Sequence, residues 1–432
     1  MEKFAKQLRI KWWLFRGEQQ RKRKNYIKAL GYFEKVTATD PSRAFAMAQA
    51  AFCLNQLERL DEAIDAYERA LQLAPNYAQV RAYLGQIYGQ LERNQEAYDS
   101  IQRPFRMSPE LKDDPHWLYV LGHSSGKIER WEEALAAFQK IVELDKNHGN
   151  AWHGLGWAYS HLDRDLEAVA AYEMAIELVP DNKVAHYELG LAYLKLNRHK
   201  EAMGQFKTSV KLRPSEPDAH YSLGYAYCEL GEFALAVESI LEALKLGPKY
   251  AEVLHTLGEA YSGLGQHEKA LNAFEAAVRA EPVSADSYFA IAKSYLRLEK
   301  QGQAEEAAEQ GLRLKPNSAD GYLCLGCASH QPGTFDKAAA AYEKSLELNP
   351  GQFEALANLG DAYFRLGQAE DARRVLMQAD VIKSTDSKLH HLLGEVYLQL
   401  GNRDQALHEY EVLKRLDNGL ADDLAKLMTQ KP

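Results

Sequence analysis

Trp152, Leu155 and Tyr159 fall on one face of a helix, and after a short polar break Ala168, Tyr172 and Ala175 fall on one face of another. The same two-helix pattern returns at a fixed interval. Aligning "GNAWHGLGWAYSHLDRDLEAVAAYEMAIELVP" with "YAEVLHTLGEAYSGLGQHEKALNAFEAAVRAEP" recovers one skeleton at a spacing of 34 residues. Twelve copies fit the chain: 10–43, 44–77, 78–111, 115–148, 149–182, 183–216, 217–250, 251–284, 285–318, 319–352, 353–386 and 387–420. Position 20 is Ala in all twelve; position 8 is Gly in ten, with Ala51 and Ala292 in the others. Position 32 is Pro in nine, the exceptions being Lys146, Ser384 and Asn418.

Each feature has a physical reading. Small residues at positions 8 and 20 let two helices approach, and large ones at 4, 7, 11 and 24 fill the space between them. Pro at 32 stops the second helix because it cannot continue the hydrogen-bond ladder. One such hairpin cannot bury its apolar face alone, so neighbours must stack. Residues 420–432 add a last helix, with Leu420, Leu424 and Leu427 on one side and Asp422, Asp423 and Lys426 elsewhere, which reads as a solvating cap.

These signatures resemble the tetratricopeptide repeat (TPR) family over 408 of 432 residues. The resemblance implies an all-α fold: an α-solenoid, a right-handed superhelix of about twelve 34-residue helix-turn-helix repeats with a C-terminal capping helix. Pro104 falls at position 27 of repeat 3, and three extra residues (112–114) follow that repeat. A kink is therefore expected near 104–114, dividing repeats 1–3 (residues 1–111) from repeats 4–12 (112–432). Repeat 9 carries only Ala308 and Gly311 at positions 24 and 27 and reads as thinly packed.

With so much of the sequence committed to repeats, no stretch is left to build a catalytic domain, and a non-enzymatic scaffold without a cofactor is expected. Four cysteines imply no disulfide framework and favour a reducing, cytoplasmic setting. No apolar run reaches the roughly 18 residues of a membrane helix. The net charge of −9 is uneven: residues 1–28 hold ten Lys/Arg against two Glu, a balance of +8, leaving −17 for the remainder. Nucleic acid is not an expected partner of so acidic a body.

In the family, the first helix of each repeat lines a concave groove whose positions 2, 5, 9 and 12 meet the ligand. Carried onto this sequence, the resemblance implies a groove holding Tyr119, His123, His153, Trp157, Tyr187, Tyr221, Tyr225 and His255, with His116 alongside. Aromatic anchors of this kind suit an extended peptide or protein partner. Further along, the stripe turns acidic. Most acids sit at position 2, where they complement a helix dipole; Glu259, Asp361 and Glu395, at position 9, do not, and point to a basic partner segment. The Lys and Asn set with which chaperone-binding members clamp a carboxylate is not found in three consecutive repeats. Cys324, Cys327 and His330 share a helix side, but at positions of the regular repeat pattern, and they read as packing residues rather than a metal site.

The stretch "LRIKWWLFRGEQQRKRK" (8–24) begins a degenerate first repeat, with Trp13 at position 4 and Gly17 at position 8. Phe4, Leu8, Trp12 and Phe15 lie within about 80° of one another on a helical wheel, on the face a preceding repeat would cover. Three readings stay open for this surface: local capping by residues 1–9, docking to a partner or a second copy, and contact with an acidic membrane.

Overall fold

The computed structural model describes residues 2–107, 112–247 and 250–430. Among these residues every regular element is helical. The chain divides into two compact units, one up to Pro214 and one from Ser215. The first holds α1 (Glu2–Lys22), α2 (Tyr26–Thr39), α3 (Ala44–Gln56), α4 (Leu60–Leu73), α5 (Ala78–Gln90), α6 (Asn94–Met107), α7 (Pro115–Lys127), α8 (Trp131–Leu144), α9 (Gly149–His161), α10 (Asp165–Leu178), α11 (Lys183–Lys195) and α12 (His199–Leu212). The second holds α13 (Pro217–Glu229), α14 (Phe233–Leu246), α15 (Ala251–Gly263), α16 (His267–Ala280), α17 (Ala285–Arg297), α18 (Gln301–Leu314), α19 (Ala319–Ser329), α20 (Phe335–Leu348), α21 (Phe353–Arg365), α22 (Ala369–Ile382), α23 (Ser387–Gln399), α24 (Arg403–Leu416) and α25 (Asn418–Gln430). Odd and even helices pair as the first and second helices of the twelve repeats, and α25 follows them.

Inside each repeat the helix–helix contact is made by omitting side-chain atoms. A Cβ at Gly190 would lie 2.5 Å from the Phe206 ring, and one at Gly258 would lie 2.5 Å from Phe274. In these repeats position 8 is glycine because a large side chain at position 24 occupies its space, a ring here and Ile240 or Leu376 opposite Gly224 and Gly360. The turn between the helices is equally uniform. Position 15 takes a positive φ in every repeat, from Lys24 (56°) to Gly401 (72°), with five glycines and seven larger residues. Outside repeat 10, where Thr334 N bonds Gln331 O instead, the next amide reaches back five residues, as in Arg164 N to Tyr159 O at 3.0 Å, and the pair forms a Schellman ending.

A polar latch closes the junction between many repeats. The side-chain nitrogen at position 4 donates to the carbonyl at position 32 of the repeat before it. Arg81 Nη2 reaches Pro75 O at 3.0 Å and Trp152 Nε1 reaches Lys146 O at 2.8 Å. His186 and His390 do the same with Pro180 O (3.0 Å) and Ser384 O (2.9 Å). In these four repeats position 4 works as a donor to the loop as well as a filler.

The core is a succession of local clusters. Phe33, Tyr67 and Ile87 belong to one, and Ile101, Phe138 and Ile141 to another. In repeat 9, where the position-24 ring is missing, Phe289 turns inward from position 5. It is 4% exposed, and a Cβ at Gly311 would come within 2.3 Å of it. The space left by Ala308 and Gly311 is filled from the opposite helix. The cap expected at the end is α25: Ala421 and Leu424 are buried while Asp422 and Asp423 face solvent.

Pro104 lies inside α6, which runs on to Met107. The expected joint near 104–114 includes residues 108–111, outside the described residues. At the other end, residues 2–9 do not fold back as a local cap. They extend α1 by about two further turns and are exposed throughout. Only Ile10 and Gly17 of that helix are buried.

Candidate partner-binding surface

Within each unit, first helices of neighbouring repeats approach one another more closely than second helices do, so the first-helix face is locally the inner one. The residues assigned to the groove divide between the two units.

In the first unit, Tyr119, His123, His153 and Trp157 come together on α7 and α9. Trp157 lies 5.9 Å from His123, and Tyr119 lies 6.3 Å from His123 in near-parallel rings. None of the four is a free-standing contact residue. Trp157 covers Gly126, where a Cβ would meet its ring at 2.3 Å, and it meets Trp131 edge-on at 4.9 Å. Tyr119 rests on Phe138 at 5.7 Å, and burial raises its pKa. His153 packs on Tyr172, and its Nε2 is buried without a hydrogen-bond partner. Desolvation lowers the pKa of both His153 and His123; the nearby His123 imidazole adds to the effect at His153, and the Lys127 ammonium adds to it at His123. This part of the face holds neutral rings at neutral pH. Tyr187, on α11, is half-buried 5.9 Å from Phe206.

In the second unit, the Tyr221 hydroxyl donates to Glu252 Oε1 at 2.9 Å, which gives that position-2 acid a partner beyond the helix dipole. Tyr225 is half-buried, and burial raises its pKa, with Glu229 adding to the shift. His255 Nδ1 lies 3.0 Å from Ser287 Oγ, and its Nε2 lies 3.6 Å from Glu259. The other two position-9 acids are also engaged internally: Asp361 with His330 (2.7 Å) and Arg365 (3.2 Å), and Glu395 with His391 (3.7 Å). Of the three, only Asp361 faces a permanent cation, Arg365.

His255 and Glu259 open onto a cavity of about 510 Å³ along α15, α17 and α19. Phe233, Phe274 and Phe289 give it apolar walls, and Lys293, Lys315 and Asp320 bring charge to its rim. Lys315 leans on Asp286 at 3.5 Å, whereas Lys293 is exposed on the first-helix face. Phe233, Phe289, Lys293 and Lys315 were not among the residues expected from sequence. For Phe289 the signal lay in repeat 9 itself, where alanine at both 8 and 24 leaves a gap that a ring at position 5 can fill.

Cys324 is buried, which pushes its thiol up to about 12, and Cys327 is raised for the same reason. Among the described residues no group of three or more His, Cys, Asp or Glu side chains is placed to hold a metal ion. On α1 the structure does gather the four residues expected on one stripe: Phe4, Leu8, Trp12 and Phe15 are 71, 53, 52 and 59% exposed.

A family model described as the Cilia and flagella-associated protein 70 C-terminal domain matches residues 248–427. Two tetratricopeptide-repeat models match 185–251, and 54–92 with 166–197. No curated protein matches the chain. Among solved structures, the APC/C hetero-tetramer Cut9-Hcn1 superposes with a TM-score of 0.50 at 14% identity, covering 97% of this chain and 96% of that one. YrrB, described as a TPR protein with an unusual peptide-binding site, gives 0.38 at 24% identity over 42% of this chain and 92% of its own. Yeast Tom70 gives 0.38 at 14% identity over 96% and 99%. The repeat skeleton, the helix-turn-helix stack and the matched models agree: the chain is a multi-repeat member of the tetratricopeptide-repeat family, built as an all-helical solenoid.

Proposed function

We propose that the chain is a non-enzymatic adaptor that holds a protein or extended peptide on its first-helix face and so mediates assembly of a complex. The observation that carries this reading is the cavity at His255, Glu259 and Lys293. It combines three phenylalanine walls with rim charges of both signs, as a pocket for one anchoring side chain of a longer ligand would. The half-buried rings of Tyr187, Tyr221 and Tyr225 supply contact area at small entropic cost. A cytoplasmic setting accords with four free cysteines, and no helix among the described residues is long and apolar enough to cross a membrane.

The test is capture of partners by the immobilised wild type and by two variants. One changes Tyr187, Tyr221 and Tyr225 to Ala; the other is Lys293→Glu. Both are expected to lose the specific partners while keeping wild-type helicity by circular dichroism. Retention of every partner by both variants would move the binding site off this face.

A further inference from the structure

The first helix of the chain carries a run of cations with no acid set against them. In repeats 2 to 6 the arginine that precedes the second helix is matched by a glutamate one turn on. Arg59 pairs with Glu62 (2.7 Å), Arg164 with Glu167 (2.8 Å) and Arg198 with Glu201 (2.9 Å). In the first repeat the same two positions hold Asn25 and Lys28, and ion pairing starts only at Asp40–Arg43. Lys3, Lys6, Arg9, Lys11, Arg16, Arg21 and Lys22 of α1 make no ion pair among the described residues. Unbalanced positive charge here coincides with the apolar stripe.

The geometry of the stripe narrows what covers it. Its centre lies roughly opposite the buried Ile10 and Gly17 on the wheel, so it is the crest of a helix, not the floor of a groove. From Phe4 to Phe15 it runs about 16 Å. Lys11 borders it on one side, and Arg9 and Arg16 on the other, with the Arg16 guanidinium 5.6 Å from the Trp12 ring. A convex row of Trp, Phe and Leu with cations along both edges is the composition of a helix lying in a bilayer interface. A second copy fits worse. Pairing α1 with α1 sets two unneutralised cationic helices together. The outer side of α25 offers Asp422, Asp423 and Lys426, with its apolar Ala421 and Leu424 already buried.

We propose that α1 is an interfacial anchor for anionic lipid, its four apolar side chains entering the headgroup–acyl boundary and its cations meeting the headgroups. The remainder of the chain, at −17, is repelled by the same surface, so contact is confined to this helix.

Vesicle sedimentation of the full chain tests this directly. Wild type is expected to partition onto phosphatidylcholine vesicles carrying about 30% phosphatidylserine, not onto phosphatidylcholine alone, and to be released at about 0.5 M salt. Replacing Leu8 and Phe15 by Ser is expected to lower partitioning at least about tenfold. Lys11→Gln and Arg16→Gln should each lower it about fivefold. All these positions are exposed, and circular dichroism checks that the fold is kept. Failure of wild type to bind anionic vesicles at low salt overturns the proposal, as does binding that the Ser variant leaves unchanged. Self-association of wild type, abolished in the Ser variant and without vesicle binding, would assign the stripe to a second copy instead.

Discussion

Among single residues, the position-4 latch shows how one side chain both fills space and satisfies a loop. His390 is its most demanding case. Nδ1 lies 2.7 Å from Glu409 Oε2, Nε2 lies 2.9 Å from Ser384 O, and Asp380 stands 3.6 Å from Nε2. Every neighbour on both nitrogens is an acceptor, so the doubly protonated ring fits the site. The hydrogen bond to Glu409 is the main reason its pKa is raised, with burial opposing. A folded-state pKa above the unfolded one makes this contribution complete below about 6.5 and lost as pH rises through the raised value. His390→Gln should therefore cost more stability at pH 5.5 than at pH 9 in urea titrations. Equal losses at the two pH values would refute an ionic role. The repeat pattern calls for a large residue at position 4, which is true of Trp152 and His390 alike. That both are donors to a carbonyl six residues back emerges only once the loop's path is known.

For the paired helices, register was readable because each marker has one physical cause. Gly at 8 answers a large side chain packed against it, Ala at 20 answers close approach, and Pro at 32 ends a helix. Position 15 was not legible: Glu58, Glu92, Asp163 and Asn197 adopt the left-handed conformation, but nothing in those side chains requires it. The surrounding Schellman bonds impose it. Gly265→Ala is expected to lower stability by about 1 kcal/mol, read by thermal or urea unfolding, since a Cβ there is strained even though the space is open. Gly190→Ala should cost about 1–3 kcal/mol for a different reason, the clash with Phe206. Repeat 9 joins fold to site. Phe289→Ala is expected to lose about 3–5 kcal/mol locally and to raise amide exchange in α17 and α18, because no other ring fills that space. The candidate site was half legible for the same reason. Tyr221 and His255 follow from repeat position, whereas Phe289 and the cavity beside it follow from a neighbour's absence.

At the scale of the whole molecule, stability is assembled from contacts between neighbouring repeats, and the buried clusters of the described residues are local to each unit. Phe33 and Ile141, for instance, lie in different clusters, each confined to a few adjacent repeats. This fixes how far a lesion travels. Leu424 of α25 is buried beside Leu413 and Ala421, and a Cβ at Gly394 would meet it at 2.5 Å. In repeat 12 this cap residue stands against the position-8 glycine, where a position-24 side chain stands in earlier repeats. Leu424→Ala should therefore cost about 2–5 kcal/mol in the cap and its immediate neighbours. Hydrogen exchange followed by mass spectrometry is expected to show faster exchange in α23 and α24 and unchanged protection in α3 to α10. Uniform loss along the chain would mean that the repeats unfold as one cooperative block, and the nearest-neighbour picture would fall with it.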